Sequence, residues 1–435
     1  MKKEQQEIID KLGIEKLNEM QIETQKAIKS HNEVVLLSPT GSGKTLAFLL
    51  PLIANLDPES EEIQALILVP SRELAIQIEQ VTREMGSGYK INAVYGGRSG
   101  SKDKMELKHT PAILIGTPGR VADHIRRENI STEFIKTLVL DEFDKSLETG
   151  FEKEMMEIVE ALPFLDKKIL TSATQKAQIP AFLKLQEPKE INFLDEVQSK
   201  LKLQLVNSPT KNKLEALANL IAHVGNANGI IFCNLKDTIG SVSTFLERKR
   251  INHECFFGGM EQIDRERALI KFRNGSSKIL VATDLAARGI DVPALDYIIH
   301  YQLPPREDEF THRNGRTARM QSEGTAYVLR GKDESLPQFI QGIKELKLES
   351  IEQEIDQEEW TTLFVSGGRK DKISKGDIAG LFFKQGKLER DELGNIELKQ
   401  DCAFVAVPTA KAHKLIASLN NTKLKTKKVR ISELK

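Results

Sequence analysis

The sequence has few cysteines, and the three that it has lie far apart. They are Cys233, Cys255 and Cys402, and no two of them have the Cys-x-x-Cys spacing. An odd number of distant cysteines argues against a disulfide framework and against a zinc site built from cysteine pairs. We therefore expect a protein of a reducing compartment, with a cytoplasmic location.

Long apolar runs are also missing. The longest, around residues 46–56, is interrupted by Pro51 and is too short to cross a membrane. No apolar stretch follows the charged start, Met1–Glu7, so the sequence predicts no signal peptide. Hydrophobic residues make up 40% of the chain, which is enough for ordinary domain cores. At ~150 residues per domain, we expect about three domains and no membrane association.

The net charge is zero, but the two signs are unevenly distributed. Residues 361–435 contain 16 Lys and Arg against 8 Asp and Glu, whereas residues 1–360 contain 47 against 55. Seven acidic residues lie between Glu345 and Glu359, directly before the basic segment. A basic C-terminal module is typical of a domain that binds a polyanion. A lysine-rich surface that only keeps the module soluble stays an alternative at this point.

Among the features that are present, the segment Ser38–Thr45 is the most informative. Its sequence, S-P-T-G-S-G-K-T, follows the apolar run Val34–Leu37 and precedes an apolar helical stretch. A strand, a Gly-rich turn and a helix N-terminus form an anion site, because the backbone N–H groups there lack helical partners. In this pattern Lys44 reaches the β- and γ-phosphates and the Thr45 hydroxyl binds Mg²⁺. The pattern opens with Gly where this chain has Ser38, so an ordinary glycine turn is the alternative.

Apolar runs of strand length alternate with amphipathic helical stretches twice along the chain. This alternation indicates βαβ units and parallel sheets. The runs are Val34–Leu37, Ala65–Val69, Ala112–Ile115, Thr137–Leu140 and Lys168–Leu170, then Gly229–Phe232, Lys278–Val281, Asp296–His300 and Thr325–Leu329. We predict two tandem α/β domains, residues 1–197 and 198–345, followed by an acidic linker, 346–359, and a basic module, 360–435.

The basic module has a different order of elements. Strands are predicted at Leu363–Val365, Ile396–Lys399, Phe404–Val407 and Lys428–Ile431, and helices at Gly376–Phe383 and Ala410–Leu419. The order is βαββαβ, which in so short a segment is typical of a small α+β domain of ferredoxin-like or RRM-like fold.

Carboxylates follow one strand of the first α/β domain. Asp141, Glu142 and Asp144 come directly after the apolar run Leu138–Leu140. A carboxylate at the carboxyl end of a parallel strand, beside a phosphate loop, can hold Mg²⁺. An adjacent carboxylate can orient and deprotonate the water that attacks a γ-phosphate. A charged strand end without a catalytic role is common and is the alternative. However, these carboxylates lie about 100 residues after the phosphate loop, and this position favours the functional interpretation.

Paired arginines occur in the second α/β domain. Within His312–Arg319, Arg316 and Arg319 are three residues apart and can face a phosphate chain together. Arginine suits this task through its permanent charge and planar fork. When one domain supplies such arginines to a nucleotide held by another, they stabilise the transferring phosphoryl group. A basic surface turn is the alternative.

Together these segments resemble the motifs of the DEAD-box ATP-dependent RNA helicases, over about residues 4–345. The motifs occur in the family's order. They are Gly13 and Gln21, Ser38–Thr45, Pro70–Gln77, Gly96 and Gly97, Thr117–Arg120, Asp141–Asp144, Ser172–Thr174, Ile230–Asn234, Gln262–Arg265, Ala282–Asp291 and His312–Arg319. The resemblance implies two RecA-like domains that close over ATP, Mg²⁺ and single-stranded RNA. It also implies an RNA-stimulated ATPase that separates short duplexes locally.

The resemblance further implies a role for each matched position, with the Gln21 amide on the adenine edge. The implied ATP-binding residues are Gln21, Thr40, Gly41, Ser42, Gly43, Lys44, Thr45 and Asp291, and the implied metal-binding residues are Thr45 and Asp141. The implied catalytic residues are Lys44, Asp141, Glu142, Arg316 and Arg319, and those coupling ATP to RNA are Ser172, Thr174 and His312. The implied RNA-binding residues are Arg72, Gly97, Thr117, Arg120, Arg265 and Thr283.

Three places depart from the family pattern. Glu4 stands 17 residues before Gln21, where the family has an aromatic residue that stacks on adenine. Leu17 and Asn18 replace the usual Pro-Thr, and Phe143 replaces the Ala of the DEAD motif. We expect weaker adenine stacking and intact phosphate chemistry.

Residues 360–435 resemble the RNA-binding domain of the DbpA-type helicases, a divergent RRM-like module. The resemblance is carried by Ile373–Gly380, Phe404–Pro408 and Lys427–Arg430. An ordinary RRM presents stacking aromatics on its sheet, where this chain has Cys402 and Val407 at two of the places. Phe404 and Phe364 remain, either as core residues or as stacking residues.

Basic side chains are therefore the predicted RNA contacts of this module, namely Arg369, Lys370, Lys372, Lys427 and Arg430. The family's partner is a hairpin of large-subunit ribosomal RNA, so the resemblance implies a role in ribosome assembly. We expect the protein to act as a monomer. A general remodeller of other structured RNAs, with the module as a non-specific tether, is the alternative.

A non-catalytic RNA clamp and a DNA-translocating helicase are further alternatives. Glu142 and the paired arginines argue against the clamp, and the sequences of motifs Asp141–Asp144 and His312–Arg319 favour RNA over DNA.

Overall fold

The computed structural model describes residues 5–97, 100–174, 178–194, 201–284, 292, 295–317, 323–340, 342–348 and 359–434. These residues fall into two compact units, one within 5–194 and the other within 201–434. No helix of the described ranges is both long enough and apolar enough to cross a membrane. The predicted domain boundary at residues 197 and 198 lies outside the described residues, as does most of the acidic linker.

The first unit is built on a seven-stranded parallel sheet, because its strands are short runs of buried apolar residues that need cover on both faces. The strands are β1 (Glu33–Leu37), β2 (Ala65–Leu68), β3 (Ile91–Val94), β4 (Ile113–Gly116), β5 (Thr137–Leu140), β6 (Lys167–Ser172) and β7 (Lys189–Asn192). Their spatial order is β3-β4-β2-β5-β6-β1-β7. Alternate residues face opposite sides, so Val34 and Leu36 join one apolar core while Val35 and Leu37 join the other.

Helices cover both faces of this sheet. They are α1 (Gln5–Lys11), α2 (Glu19–Ser30), α3 (Lys44–Ala54), α4 (Arg72–Met85), α5 (Gly100–Leu107), α6 (Pro118–Arg126), α7 (Phe143–Glu148) and α8 (Glu152–Glu160), with a 3₁₀ turn at Ala181–Leu183. Phe143, which departs from the family pattern, is buried in one of the two cores beside Leu140 and Leu170. The larger side chain at this position therefore serves packing.

The second unit begins with another seven-stranded parallel sheet, in the order β10-β11-β9-β12-β13-β8-β14. Its strands are β8 (Leu201–Asn207), β9 (Gly229–Phe232), β10 (Glu254–Phe256), β11 (Ile279–Ala282), β12 (Tyr297–His300), β13 (Gly324–Arg330) and β14 (Lys344–Glu345). Its helices are α9 (Leu214–Val224), α10 (Lys236–Arg248), α11 (Gln262–Arg273) and α12 (Glu307–Asn314). The two parallel sheets confirm the predicted pair of RecA-like domains.

The C-terminal module of the second unit has a four-stranded antiparallel sheet. Its elements are β15 (Trp360–Val365), α13 (Lys375–Lys384), β16 (Ile396–Leu398), β17 (Ala403–Pro408), α14 (Thr409–Leu419), a small hairpin of β18 (Lys423–Leu424) and β19 (Lys427–Lys428), and β20 (Ile431–Glu433), with 3₁₀ turns at Arg369–Asp371 and Arg390–Glu392. The sheet order is β16-β17-β15-β20. This arrangement confirms the predicted α+β fold.

The predicted last strand, Lys428–Ile431, was wrong. Lys428 pairs with Lys423 in the small hairpin, whereas Ile431 pairs with Val365 in the main sheet. Lys425 has a positive φ of 54°, which allows the tight turn that closes the hairpin. The chain therefore makes two short strands where one was predicted.

Candidate active site

The predicted phosphate-binding segment, Ser38–Thr45, follows β1 and leads into α3, as its sequence predicts. Gly41 and Gly43 have positive φ values of 84° and 92°, a region that favours glycine. Lys44 is the first residue of α3, and its ammonium donates to the carbonyl oxygens of Ser38 at 2.6 Å and Pro39 at 3.1 Å. The Lys44 charge is thus held against the loop whose backbone is predicted to form the anion site.

Gln21, the residue predicted to bind the adenine edge, lies beside the same loop. Its Oε1 accepts from the backbone N–H of Asn18 at 3.0 Å, and its Nε2 donates to the carbonyl of Gly43 at 3.3 Å. A carboxamide has two lone pairs on oxygen and two N–H groups, so each end can make a second bond. One remaining donor and one remaining acceptor match the N7 and N6 edge of adenine.

Asn18, one of the residues that depart from the family pattern, has a structural role here. Its side-chain oxygen caps α2 by accepting from the backbone N–H of Gln21 at 2.9 Å, and its Nδ2 donates to the carbonyl of Ser42 at 3.0 Å. A Cβ on Gly43 would lie 2.5 Å from the Nε2 of Gln21. Asn18, Gln21 and Gly43 therefore fix the start of α2 against the phosphate loop.

Asp141 and Glu142 are joined by a residue of the neighbouring strand. Asp141 follows β5, is 3% exposed, and accepts a hydrogen bond from the hydroxyl of Thr171 in β6. The same hydroxyl accepts from the backbone N–H of Glu142 at 3.1 Å. Glu142 has a positive φ of 50°, a left-handed conformation that is uncommon for a residue with a side chain. Thr171 thus holds the side chain of Asp141 and the main chain of Glu142.

Burial raises the pKa of Asp141 to about 6, and the neighbouring Glu142 charge acts in the same direction. Lys44 opposes this shift, which places its ammonium within electrostatic reach of the Asp141 carboxylate. No three His, Cys, Asp or Glu side chains of the described ranges form a metal cluster. Mg²⁺ needs none, since it takes one or two carboxylates and draws its remaining ligands from phosphates and water. A buried carboxylate and the Thr45 hydroxyl at a phosphate loop fit this chemistry.

Thr171→Val is expected to lower kcat for ATP hydrolysis about tenfold, because valine has the same shape but leaves Asp141 and the Glu142 N–H without their shared partner. The expected loss of stability is about 1–3 kcal/mol, as for a buried polar group left unpaired. Steady-state ATPase assays at saturating RNA measure the effect, and KM for ATP should change less than kcat. Thr171→Ser keeps the hydroxyl and should restore most of the rate. Wild-type kcat in Thr171→Val would contradict the positioning role.

The segment Ser172–Thr174 is tied to the last residue of the DEAD motif. The hydroxyl of Thr174 donates to Asp144 at 3.1 Å, and the backbone N–H of Thr174 donates to the hydroxyl of Ser172 at 3.0 Å. Burial raises the pKa of Asp144, although the positive charge of Lys145 opposes the shift. The predicted coupling residues Ser172 and Thr174 are therefore connected to the motif Asp141–Asp144 within the first unit.

The residues predicted to bind RNA in the first unit follow β2, β3 and β4, which are adjacent in the sheet. The guanidinium of Arg72 lies so close to the backbone of Gly97 that a Cβ there would lie 2.3 Å from it. Thr117 precedes α6, and Arg120 in α6 donates to the buried Asp103 at 2.8 Å. The predicted phosphate- and metal-binding residues follow β1 and β5, and the residues predicted to couple ATP to RNA lie at the end of β6, all at the same carboxyl edge. The sheets of α/β proteins bind ligands at this edge.

Arg313 joins three motifs of the second unit, and sequence reasoning assigned it no role. Its guanidinium is 1% exposed and donates to Asp284 and to the side chain of Asn234, at 2.7 and 2.8 Å. It also donates to the carbonyl of Gln302 at 2.7 Å and lies over the ring of Phe232. The spacing of arginines in the sequence does not distinguish a buried structural arginine such as this one from an arginine that faces a ligand.

The other predicted residues of the second unit lie in or near the same motifs. Arg316 follows α12 and is 6% exposed, and His312 lies within α12 and is partly buried. Arg265 of α11 stacks on Phe256 with its guanidinium carbon 4.6 Å from the ring centre. Thr283 follows β11, and its backbone N–H donates to the carbonyl of Phe256 at 3.3 Å. Asp291, Arg319 and Glu4 lie outside the described residues.

The basic residues predicted for the C-terminal module differ in exposure and pairing. Lys370, Lys372 and Arg430 are exposed, and Arg369 is partly exposed. Lys427 instead forms an ion pair with Asp371 at 2.7 Å. Arg369, Lys370 and Lys372 are thus better placed than Lys427 for a polyanion.

Family profiles match all three parts of the chain. The DEAD/DEAH box helicase profile matches residues 18–182, the helicase conserved C-terminal domain profile matches 212–321, and the DbpA RNA binding domain profile matches 362–433. The ATP-dependent RNA helicase DbpA of Escherichia coli (strain K12) is 31% identical over 441 residues, which cover 98% of this chain and 96% of that protein. The chain belongs to the DEAD-box ATP-dependent RNA helicases.

Other comparisons agree with this membership of the DEAD-box family. DbpA of Bacillus subtilis (strain 168) is 29% identical over 460 residues, 98% of this chain and 96% of that one. S. cerevisiae Dbp5 bound to RNA and ADP BeF3 superposes with a TM-score of 0.68 at 26% identity, covering 76% of this chain and 88% of that one. Mss116p bound to ssRNA and AMP-PNP superposes with a TM-score of 0.69 at 26% identity, covering 77% of this chain and 73% of that one.

This DEAD-box helicase is therefore of DbpA type, an enzyme that uses ATP and binds RNA. Membership of this family confirms the predictions of an RNA-stimulated ATPase and of a DbpA-type module. The DNA-translocating helicase and the non-catalytic clamp are set aside. The roles of individual residues stay predictions, and they enter the proposal below.

Proposed function

We propose that this helicase remodels structured ribosomal RNA during assembly of the large ribosomal subunit, as a monomer in the cytoplasm. The observation that carries the proposal is the DbpA RNA binding domain at residues 362–433, in a chain that aligns with E. coli DbpA over 98% of its length. This domain type implies a ribosomal RNA hairpin as its partner. The helicase domains then act on RNA near the place where the module binds.

The proposed chemistry uses the groups at the carboxyl edge of the first sheet. Bound Mg²⁺ would neutralise phosphate charge, and Asp141 and Thr45 would hold it. Glu142 would orient the attacking water and accept its proton, while Lys44 would bind the β- and γ-phosphates. Gln21 would select adenine through its two remaining hydrogen-bonding groups. Ser172, Thr174 and His312 would couple nucleotide to RNA, and Arg316 with Arg319 would stabilise the transferring phosphoryl group.

RNA contacts are proposed at two places. In the helicase domains they are Arg72, Gly97, Thr117, Arg120, Arg265 and Thr283, which lie at strand ends and helix starts as phosphate- and sugar-binding groups do. In the module they are the exposed basic residues around Arg369. The contacts in the helicase domains hold RNA without reading much sequence, so we assign the preference for one structured RNA to the module.

Neutralising the basic turn of the module is expected to remove the preference for structured RNA. The variant Arg369→Gln, Lys370→Gln, Lys372→Gln loses up to three phosphate contacts. Its affinity for a ribosomal RNA hairpin should fall about 10- to 100-fold, with a shallower salt dependence. ATPase stimulation by unstructured RNA should stay near the wild-type level. ATPase assays across a panel of ribosomal RNA fragments, repeated at several salt concentrations, measure both effects.

The matched control is Lys384→Gln, Lys387→Gln, Lys414→Gln, which removes the same charge from other exposed lysines of the module. It should keep the preference. An equal loss in both variants would mean that the module is a non-specific tether. Absence of any preferred ribosomal fragment in the wild-type protein would contradict the proposed function itself.

A further inference from the structure

A buried carboxylate, Asp103, lies between two of the segments that are predicted to bind RNA, and the proposed function gives it no role. It belongs to α5, which begins at Gly100, shortly after the predicted RNA contact at Gly97. Asp103 and Leu107 are four residues apart, so they lie on the same face of the helix. Leu107 packs into one of the two cores of the first unit. This face therefore turns Asp103 inward, and only 1% of the residue is exposed.

The Asp103 carboxylate is held by two donors from α6. The Nε of Arg120 donates to its Oδ2 at 2.8 Å, and the Nε2 of His124 lies 3.3 Å from the same oxygen. The Nδ2 of Asn129, which can only donate, lies 3.2 Å from the Nδ1 of His124. This contact assigns the imidazole hydrogen to Nε2, so His124 donates to Asp103. A carboxylate that has no access to water depends on such donors.

The contact with Asp103 sets the direction of the Arg120 guanidinium as well as its position. The guanidinium is a planar fork, so a hydrogen bond at Nε determines where the two terminal nitrogens point. One of them lies at the start of α5, where a Cβ on Gly100 would be 3.3 Å away. The other lies 3.7 Å from a carboxylate oxygen of Asp123. The Arg120 side chain is 18% exposed, so its orientation decides which part of it a ligand can reach.

Helix α5 also connects Arg120 to the other predicted RNA contacts of the first unit. It follows Gly97, whose backbone packs against the guanidinium of Arg72. Strands β3 and β4, which precede α5 and α6, are adjacent in the sheet. Asp103 therefore joins the segment after β3 to the segment after β4, at the carboxyl edge where α/β sheets bind ligands.

An acidic residue needs a reason at an edge that is proposed to bind a polyanion, because its charge repels phosphate. Support of the fold alone is a weak reason, since an apolar residue of similar size would fill the space without the cost of burying a charge. Orientation of a cation is a stronger one. An arginine that is already held in its binding geometry loses less side-chain entropy when it binds phosphate.

We infer that Asp103 is a positioning residue for RNA binding, which orients the Arg120 guanidinium towards an RNA phosphate and joins α5 to α6. This inference rests on the proposed RNA contact of Arg120. The Asp103 side chain is fully buried, so it acts through Arg120 and does not touch RNA. Its removal should therefore weaken RNA binding although it removes a negative charge, whereas an effect of charge alone would strengthen binding.

Asp103→Ala tests this inference in the full-length protein, with poly(U) as the single-stranded RNA. The RNA concentration that half-saturates ATPase stimulation should rise about tenfold, as for the loss of one hydrogen bond from a charged group. The kcat at saturating RNA should stay within about twofold of wild type, because Asp103 is remote from the ATP groups after β1 and β5. The salt dependence of RNA binding should become shallower by about one phosphate contact, a slope of ~0.7 on logarithmic axes. Arg120→Gln should show the same changes.

The double variant Asp103→Ala, Arg120→Gln separates positioning from a contribution to folding. If Asp103 acts through Arg120, the double variant should bind RNA no more weakly than Arg120→Gln alone. A further loss in the double variant would overturn the inference, because Asp103 would then act by another route. Asp123→Asn is the matched control. It removes the same charge beside the same guanidinium, and its RNA affinity should equal or exceed that of wild type.

The single variants distinguish a failure of this inference from a failure of the proposed RNA contact. Wild-type RNA affinity in Arg120→Gln would contradict the contact itself. Weaker binding in Arg120→Gln, together with wild-type affinity in Asp103→Ala, would overturn the positioning role alone. If Asp103→Ala fails to fold, Asp103→Asn keeps the side-chain shape and an acceptor oxygen but loses the charge. Its RNA affinity should fall about threefold, and only while Arg120 is present.

Discussion

Replacing Glu142 by Gln is expected to lower kcat for RNA-stimulated ATP hydrolysis by about 10²–10⁴-fold, the usual contribution of a positioned general base. The backbone N–H of Glu142 is held by the Thr171 hydroxyl, so the peptide should stay in place when the side chain changes. Glutamine has the size of glutamate but cannot accept the proton from the attacking water. ATP and RNA should therefore bind with nearly unchanged affinity.

Single-turnover hydrolysis and equilibrium binding separate the two effects. Hydrolysis reports the chemical step, and a fluorescent ATP analogue and a labelled single strand report affinity. Glu152→Gln, at an exposed position in α8, removes the same charge from the first unit and should leave kcat unchanged. A rate for Glu142→Gln within about threefold of wild type would contradict its assignment as the base.

The backbone at Glu142 adds to this expectation. Its φ of 50° is in a region that costs free energy for a residue with a Cβ, and such residues often lie at active sites. Two hydrogen-bonded neighbours, Asp141 and Thr171, stabilise the conformation. Sequence reasoning identified Glu142 from its position after a strand, but only the structure shows how its main chain is held.

The parallel sheets could be predicted because their central strands are fully buried. Runs such as Thr137–Leu140 and Gly229–Phe232 are apolar at every position or nearly so, and the observed bounds of both agree with the predicted ones. Two of the strands that were not predicted lack this signal. Lys189–Asn192 is an edge strand of its sheet and has one buried residue, and Glu254–Phe256 has only three residues. Their pairing depends on neighbours that are distant in sequence.

The candidate site shows the same division. Residues such as Lys44 and Asp141 are set by local patterns of strand, turn and charge, so the sequence indicates them. Thr171 and Arg313 act through partners from other elements, and no local pattern marks a threonine or an arginine for such contacts. The position of Phe404 was equally hidden, since a phenylalanine that stacks on a base and one that packs against Ile270 of α11 have the same sequence.

Asp141→Asn is expected to stabilise the nucleotide-free protein while it abolishes turnover. In the folded protein the pKa of Asp141 is about 6, against 3.8 for the ordinary group, because burial and then the Glu142 charge disfavour ionisation. The folded state therefore binds the proton more tightly, and stability falls as pH rises from about 4 to about 6. Above that window the whole cost remains. Asparagine has no charge at any pH, so the cost disappears.

The size and the test of this effect follow from the same pKa shift. One pKa unit corresponds to about 1.4 kcal/mol, and since the Thr171 hydrogen bond changes too, we expect a net gain of about 1–2 kcal/mol at neutral pH. Denaturant unfolding should show the gain at neutral pH and little of it near pH ~4. Glu152→Gln, at an exposed position in α8, is the control, and it should give no such pH-dependent gain. Mg²⁺ and ATP should stabilise wild type more than Asp141→Asn, because the cation needs the carboxylate. A lower stability of Asp141→Asn than of wild type at neutral pH would contradict this expectation. It would mean that the ionised carboxylate stabilises the folded protein, rather than lowering its stability in exchange for metal binding.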